Sequence, residues 1–339
     1  MKNKKAPILI CAAVILAAAA AAVFALPEKK NLDFFAMDTL VNFNITARGA
    51  DKITEEAKNR VNTLDTEVLS RQSASSEIYS LNKNHGGKMS AQVGEYISVL
   101  LDVFKKSGGA FDFTLGALSD LWGFGGEPSV PPEDKIGEIL ALTGADKITI
   151  DGGNIEFPQG AVLDFGAAGK GIALDEIKEI LDKYKAKEAV ISVGGSILVY
   201  GGRDFKVGIR DPRSQSGYAA VLTLGQACVS TSGSYERFFE SGGRRYHHIL
   251  DPKTGHPAEN GLVSATVISD SGILSDALST ACFVSGLEEG MALARSFGCE
   301  AVFIDENDKI YTTPGIADST EITGGGFTKA VMPGAREAE

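Results

Sequence analysis

Apolar and polar positions in this 339-residue chain alternate in two rhythms. Leu40-Val41-Asn42-Phe43-Asn44-Ile45 repeats every second residue, which predicts a strand with one face buried. Ile53, Ala57, Val61, Leu64 and Val68 then recur at helical spacing. Val93, Ile97, Leu100, Leu101 and Phe104 predict a second helix. Pro131-Pro132 marks a boundary before a short third helix running through Leu142. Lys147 to Ile150, Asp151-Gly152-Gly153 and Asn154 to Phe157 predict a hairpin. A strand from Ala161 to Phe165 is expected next, then a Gly-rich turn and a helix from Ile172 to Tyr184. Further strands are expected at Ala189–Val193, Ile197–Tyr200, Phe205–Ile209, Ala219–Leu224, Tyr246–Leu250, Val263–Ile268, Ala301–Ile304 and Lys309–Thr312. Helices are expected at Asp276–Val284 and Leu287–Phe297, and Pro27 to Asp33 reads as a polar linker. The order is mixed α+β, without the strict strand-helix alternation of a doubly wound sheet and without a repeat.

Ahead of this body, Lys2, Lys4 and Lys5 precede an unbroken apolar run from Ala6 to Leu26. That length fits a bilayer-spanning helix better than the shorter apolar stretch of a secretory signal. Val23-Phe24-Ala25 offers a small-residue cleavage signature, whereas Ile10 before Cys11 is bulky for a lipidation site. The expected organisation is a leader, anchor or signal, plus linker at residues 1–30, one domain at 31–330 and a polar tail at 331–339. The body is expected to be exported and to stand at the outer face of the cell membrane, anchored there.

Apolar residues at 44% and charged residues at 23% describe a globular chain and exclude a disordered one. The net charge of −11 leaves no basic stripe for a nucleic acid. Cys228, Cys282 and Cys299 lack metal-type spacing, and an odd number in an exported body does not make a disulfide framework, so they read as small buried hydrophobes.

Three segments carry candidate chemistry. In Leu163 to Gly171 an Asp is followed by three glycines and a Lys at a helix start. Free amides there suit phosphate oxygens, although a tight structural turn reads the same way. Asp276 and Thr280 lie one helical turn apart, where a carboxylate and a hydroxyl can share a Mg²⁺ that keeps open positions; a dipole-favoured Asp beside a buried Thr is the plainer alternative. His247 and His248 fall on opposite faces of an expected strand, so they cannot chelate one metal side by side. The aromatic segments Gly108–Thr114 and Leu121–Gly125, with the single Trp, either wrap a flat ring or pack on the core. Ser230 to Arg237 is rich in hydroxyls but has no order that singles out a nucleophile.

Taken in order, these segments resemble the ApbE family of FAD:protein FMN transferases. The resemblance runs through Met37-Asp38-Thr39, Ser76 to Asn82, Gly109 to Thr114 and Leu121 to Gly125. It continues through Asp164 to Gly171, Gly194-Gly195, Thr231-Ser232-Gly233, His248 to Gly255 and Asp276 to Thr280, so it covers roughly residues 35 to 330. It implies a single ApbE-like, T-fold-related α+β catalytic domain. It also implies an enzyme that uses Mg²⁺ and FAD, moves FMN onto a Thr or Ser hydroxyl of a partner protein and releases AMP. The partners so implied are acceptor proteins with a flavinylation motif in membrane electron-transfer complexes. By the same resemblance Asp276, Thr280 and the Ala167 carbonyl hold the metal. Met37, Ala110, Phe111, Asp112, Asp164, Lys170 and Ile249 line the FAD site, and His248 and Asp276 are catalytic, His248 acting on the incoming hydroxyl. Gln72 stands where the family often has a Tyr against the flavin. No acceptor motif of the Asp-Gly-x-Thr-Ser/Thr-Ala-Thr kind occurs in the chain itself. Two rival readings keep the same site: a Mg²⁺-dependent FAD pyrophosphatase giving FMN and AMP, and a non-catalytic exported flavin-binding protein.

Overall fold

A computed structural model describes residues 26–214 and 216–330. The expected leader up to residue 25 and the tail at 331–339 lie outside the described residues. Among the described residues no helix is long and apolar enough to cross a membrane.

The centre of the fold is a nine-stranded sheet whose spatial order follows the chain. Its strands are β1 (Glu28–Ala36), β2 (Thr39–Ala47), β3 (Glu188–Val193), β4 (Ser196–Gly201), β5 (Ala227–Gly233), β6 (Leu262–Ser269), β7 (Glu300–Asp305), β8 (Lys309–Thr312) and β9 (Thr328–Lys329). Every pairing is antiparallel except β8 with β9. Alternation along the strands feeds two cores. Leu198 and Tyr200 of β4 and Ala301 and Phe303 of β7 join the helical side. Val199, Val302 and Ile304 face a smaller sheet made by Phe205–Arg210, Tyr218–Leu224 and Thr320–Ile322.

The helices are α1 (Ala50–Thr63), α2 (Glu77–Asn84), α3 (Ala91–Lys106), α4 (Gly116–Trp122), α5 (Glu133–Leu140), α6 (Gly169–Lys183), α7 (Gly272–Ser285) and α8 (Leu287–Ser296). Six of them lie between β2 and β3, and α7 and α8 lie between β6 and β7. In α1 the predicted Ile53, Ala57 and Val61 are all buried, and the chain continues as a π-helical turn, Leu64–Val68.

Three expectations are corrected. Pro27 to Asp33 is not a linker: from Glu28 it is the edge strand β1, which pairs residue by residue with β2 and half-buries Leu32 and Phe34. The domain therefore starts before residue 31. Ala161 to Phe165 is not a strand, because single partners satisfy its backbone. Asn82 exchanges side-chain hydrogen bonds with both backbone groups of Leu163, and the Asp164 amide donates to the Phe113 carbonyl at 2.8 Å. The strand expected at Tyr246–Leu250 ends at His247, where the chain bends toward the cavity described below.

Candidate functional site

The site begins at the tip of the first hairpin. Ala36 pairs with Thr39, so Met37 and Asp38 alone make the turn, at φ of 53° and 56°. Consecutive left-handed residues give the primed turn that suits strand twist, an uncommon conformation for side-chain-bearing residues. Asp65, in the π-helical turn, fixes it by accepting the Met37 amide at 2.8 Å.

Helices α6 and α7 then cross at two glycines. A Cβ on Gly171 would lie 2.0 Å from the Gly272 carbonyl oxygen, and one on Gly272 would lie 2.2 Å from the Gly171 carbonyl oxygen. Backbone contact this close lets each helix cap the other. Asp276 Oδ2 of α7 accepts the Gly171 amide of α6 at 3.0 Å. Asp175 of α6 accepts the Gly272 and Ile273 amides at the start of α7, at 2.6 and 2.9 Å. Free helix-start amides are satisfied in both directions.

Asp276 is 3% exposed, accepts the Ser196 hydroxyl at 3.1 Å and lies 3.5 Å from Lys170 Nζ. One turn on, Thr280 Oγ1 lies 3.0 Å from Ser232 Oγ, which also contacts Ser279 at 2.8 Å. Ser230 links Ser196 and Ser275 at 3.0 and 2.9 Å. The first part of the hydroxyl-rich segment, through Gly233, thus lies in strand β5, and Ser230 and Ser232 hydrogen-bond around the Asp276–Thr280 face.

Asp164 is gripped by the Gly166 amide at 2.8 Å and by Arg71 Nε at 3.0 Å, and Arg71 also holds Asp120. Asp112 Oδ1 accepts the amide and the hydroxyl of Thr114, both at 2.8 Å, and burial pushes its carboxyl above the usual range.

His248 lies with Nδ1 3.2 Å from the Arg237 carbonyl, which sets the tautomer: Nδ1 carries the hydrogen and Nε2 remains an acceptor. Burial lowers its pKa from 6.5 to about 4, with Lys170 and Arg237 adding to the effect. His247 is buried on the other face, where its Nε2 meets the Ala258 carbonyl at 3.0 Å and its Nδ1 accepts the Ile249 amide. The opposed faces expected for the two histidines are found.

These pieces surround one cavity of about 780 Å³, within the range of cofactor sites. Met37, Ala110, Phe111, Asp112, Asp164, Ala167, Lys170, His248, Ile249, Asp276 and Thr280 all line it, as does Gln72. Trp122 does not. It is fully buried, donates Nε1–H to the Gly255 carbonyl at 2.8 Å and stacks on Phe124, whose ring lines the cavity instead. Sequence reasoning missed Arg71, which no pattern marks, and Glu236. The latter follows Thr231-Ser232-Gly233 by three residues and opens onto the cavity with protein around it. Burial pushes its carboxyl up while Lys170 pulls it down.

Asp276 and Thr280 bring a carboxylate and a hydroxyl to the cavity that Ala167 also lines, so the side-chain donors there are oxygens. Such hard ligands suit Mg²⁺, which keeps several waters. Among the described residues no three His, Cys, Asp or Glu converge as a metal group.

The ApbE family model matches residues 37–303. An FAD:protein FMN transferase of Treponema pallidum is 36% identical over 241 residues, covering 64% of this chain and 67% of that protein. One of Rhodobacter capsulatus is 36% identical over 269 residues, covering 75% of this chain but 51% of its relative. Among solved structures, the ApbE protein of Thermotoga maritima superposes with a TM-score of 0.80 at 28% identity, covering 86% of this chain and 99% of that one. Apo flavinyl transferase ApbE of Pseudomonas stutzeri gives 0.74 at 30% identity, covering 85% and 94%. With its Asp164–Gly171 turn, its Asp276–Thr280 face and His248 gathered on one cavity inside the matched span, the chain belongs to the ApbE family.

Proposed function

We propose that this chain transfers FMN from FAD to a Thr or Ser hydroxyl of a partner protein and releases AMP. The observation that carries the reading is the convergence of His248, Lys170 and the Asp276–Thr280 face on one cavity, in a chain whose relatives bear that activity's name. Lys170 and the amides opening α6 offer positive charge to the FAD diphosphate. Asp276, Thr280 and the Ala167 carbonyl would hold Mg²⁺, which supplies charge neutralisation on the phosphates and the leaving AMP. Met37, Ala110, Phe111, Asp112, Asp164 and Ile249 line the FAD site, and Phe124 offers a ring face where Gln72 offers none. His248 Nε2 takes the proton of the acceptor hydroxyl as its oxygen bonds the FMN phosphorus. The bridging P–O bond breaks and AMP leaves with that electron pair. Positioning supplies most of the rate, because the hydroxyl is a weak nucleophile.

The acceptors on this reading are redox subunits exposed outside the cytoplasm, and the leader anchors the enzyme beside them. N-terminal sequencing of the mature protein tests this: a chain starting near residue 26 means cleavage. For the reaction, enzyme, FAD, Mg²⁺ and acceptor are incubated, denatured and separated by electrophoresis under flavin fluorescence. Covalent label is expected on the acceptor and is expected to vanish when its Thr becomes Val. Mg²⁺-dependent release of free FMN and AMP with no labelled protein would instead establish the pyrophosphatase reading.

A further inference from the structure

Lys170 Nζ stands among acceptors without settling on one. It lies 3.5 Å from Asp276 Oδ1 and 3.4 Å from the Gly166 carbonyl. Both distances exceed the roughly 2.7–2.9 Å of a charge-assisted hydrogen bond. Asp276 is already committed, since its Oδ2 accepts the Gly171 amide and its Oδ1 the Ser196 hydroxyl. A second carboxylate, Glu236, enters the cavity just after β5. Its Oε1 reaches the turn between β3 and β4, where a Cβ on Gly195 would lie 3.2 Å from it. Gly195 precedes Ser196, so the two carboxylates flank one hairpin tip. Asp276 meets it through the Ser196 hydroxyl, and Glu236 lies against the Gly195 backbone.

The Glu236 carboxylate is uncommitted. Among the described residues it makes no hydrogen bond or ion pair, although Lys170, Asp276, Arg210 and Arg237 all act on it through their charges, Lys170 most strongly. All five side chains belong to residues that line the same cavity. Lys170 is the second residue of α6, so its backbone is fixed by the helix, but its ammonium rides on a flexible four-carbon stem. That side chain keeps about a quarter of its surface open, so the ammonium has room to move between the two acids.

We propose that Glu236 is a positioning residue that takes the Lys170 ammonium when a divalent cation occupies the Asp276–Thr280 face. The proposal rests on the reading of that face as the Mg²⁺ seat. An ammonium and a divalent cation beside one carboxylate repel each other about twice as strongly as two single charges at the same spacing. Lys170, placed as it is beside Asp276 Oδ1, therefore competes with the metal. Glu236 gives the ammonium a second seat inside the cavity. The metal loses its competitor, and Lys170 stays where a diphosphate can meet it instead of swinging out to water.

The test titrates Mn²⁺, which shares the oxygen-ligand preference of Mg²⁺, into the whole enzyme without FAD and reads the free ion by electron paramagnetic resonance. Asp276→Asn is expected to abolish tight binding, which identifies the site. Glu236→Gln keeps the shape of an exposed side chain and is expected to weaken binding about tenfold, mid-range for members of one ion-pair network, because Lys170 then stays with Asp276. Lys170→Gln removes the competitor and is expected to bind at least as tightly as the native chain. In that background Glu236→Gln is expected to cost no more than about twofold, as for independent sites. Native-like binding by Glu236→Gln, weaker binding by Lys170→Gln, or a tenfold loss that persists without Lys170 would each overturn the proposal, the last by making Glu236 a metal ligand in its own right. If the native chain binds no Mn²⁺, or Asp276→Asn binds it equally well, the metal reading falls and the proposal with it. Loss of binding in Asp276→Asn with additive effects at Glu236 and Lys170 strikes the proposal alone.

Discussion

Replacing Gly171 by Ala tests how far the site depends on the crossing of α6 and α7. The added Cβ would meet the Gly272 carbonyl oxygen at 2.0 Å and Asp276 Cβ at 2.7 Å. A comfortable carbon–oxygen contact is about 3.3 Å, so the helices must part by about 1.3 Å. Overpacking of this kind costs about 1–3 kcal/mol, and the upper end applies because the obstacle is backbone rather than a side chain that can swing away. Ala returns about 1 kcal/mol through helix propensity, which leaves a net loss of about 2 kcal/mol. At about 2–4 °C per kcal/mol for a domain of this size, Tm falls by about 4–8 °C. The same parting pulls the Gly171 amide and Lys170 away from Asp276. A misplacement of about 1 Å lowers turnover by about 100-fold. Gly137 in α5 is the control: a Cβ there meets nothing within 4 Å, and Ala is expected to leave Tm unchanged or raise it. Calorimetry and the fluorescence assay on both variants decide it. If Gly171→Ala melts and works like the native chain, the crossing does not constrain the site.

Three further outcomes are expected. Asp276→Ala abolishes turnover while FAD binding is partly retained, and it costs about 3 kcal/mol by leaving the Gly171 amide and the Ser196 hydroxyl without their acceptor; full activity that still needs Mg²⁺ would refute the metal assignment. His248, lowered to about 4 by burial with Lys170 and Arg237 near it, stays neutral well below the usual imidazole range, so the acid limb of the rate profile should lie near pH 4 rather than 6.5. Between those values the unfolded chain binds the extra proton, so stability falls as pH is lowered through that window, and His248→Gln should flatten this part of the stability profile. Cys228, Cys282 and Cys299 are buried and burial raises each thiol, so iodoacetamide should add no mass before unfolding and three adducts after it within residues 26–330.

Where one period ran long enough, the sequence was legible. α1 and α3 carry their apolar stripes through several turns, and both fall where the spacing places them. Strand β5 was not legible, because Ser230 and Ser232 spoil its alternation; both faces are covered, and the hydroxyls pair with Ser196, Ser275, Ser279 and Thr280. α4 hid because it starts at a glycine and is short. β1 hid because Lys29, Lys30 and Asp33 on an edge strand imitate a solvated linker. Asp164, Lys170, Asp276 and His248 stand in runs that each read equally well as ordinary structure; the collinear order of those runs, as a family resemblance, singled them out, and the fold brings all four to one cavity. Arg71 was not readable, since its importance lies in reaching Asp164 across the fold.

The exchange of caps between α6 and α7 has a consequence for when the site comes into being. Gly171 and Asp276 are 105 residues apart in sequence, and Asp175 and Gly272 are 97 apart. Neither helix start is complete until both segments have been made and have met, and contacts across such separations form slowly. A chain still emerging from its ribosome has the Asp164–Gly171 turn but not the Asp276 carboxylate that accepts the Gly171 amide. Completion of the cavity therefore has to wait for the second half of the protein, and a fragment that stops short of Asp276 carries the turn without the carboxylate that closes the site around it.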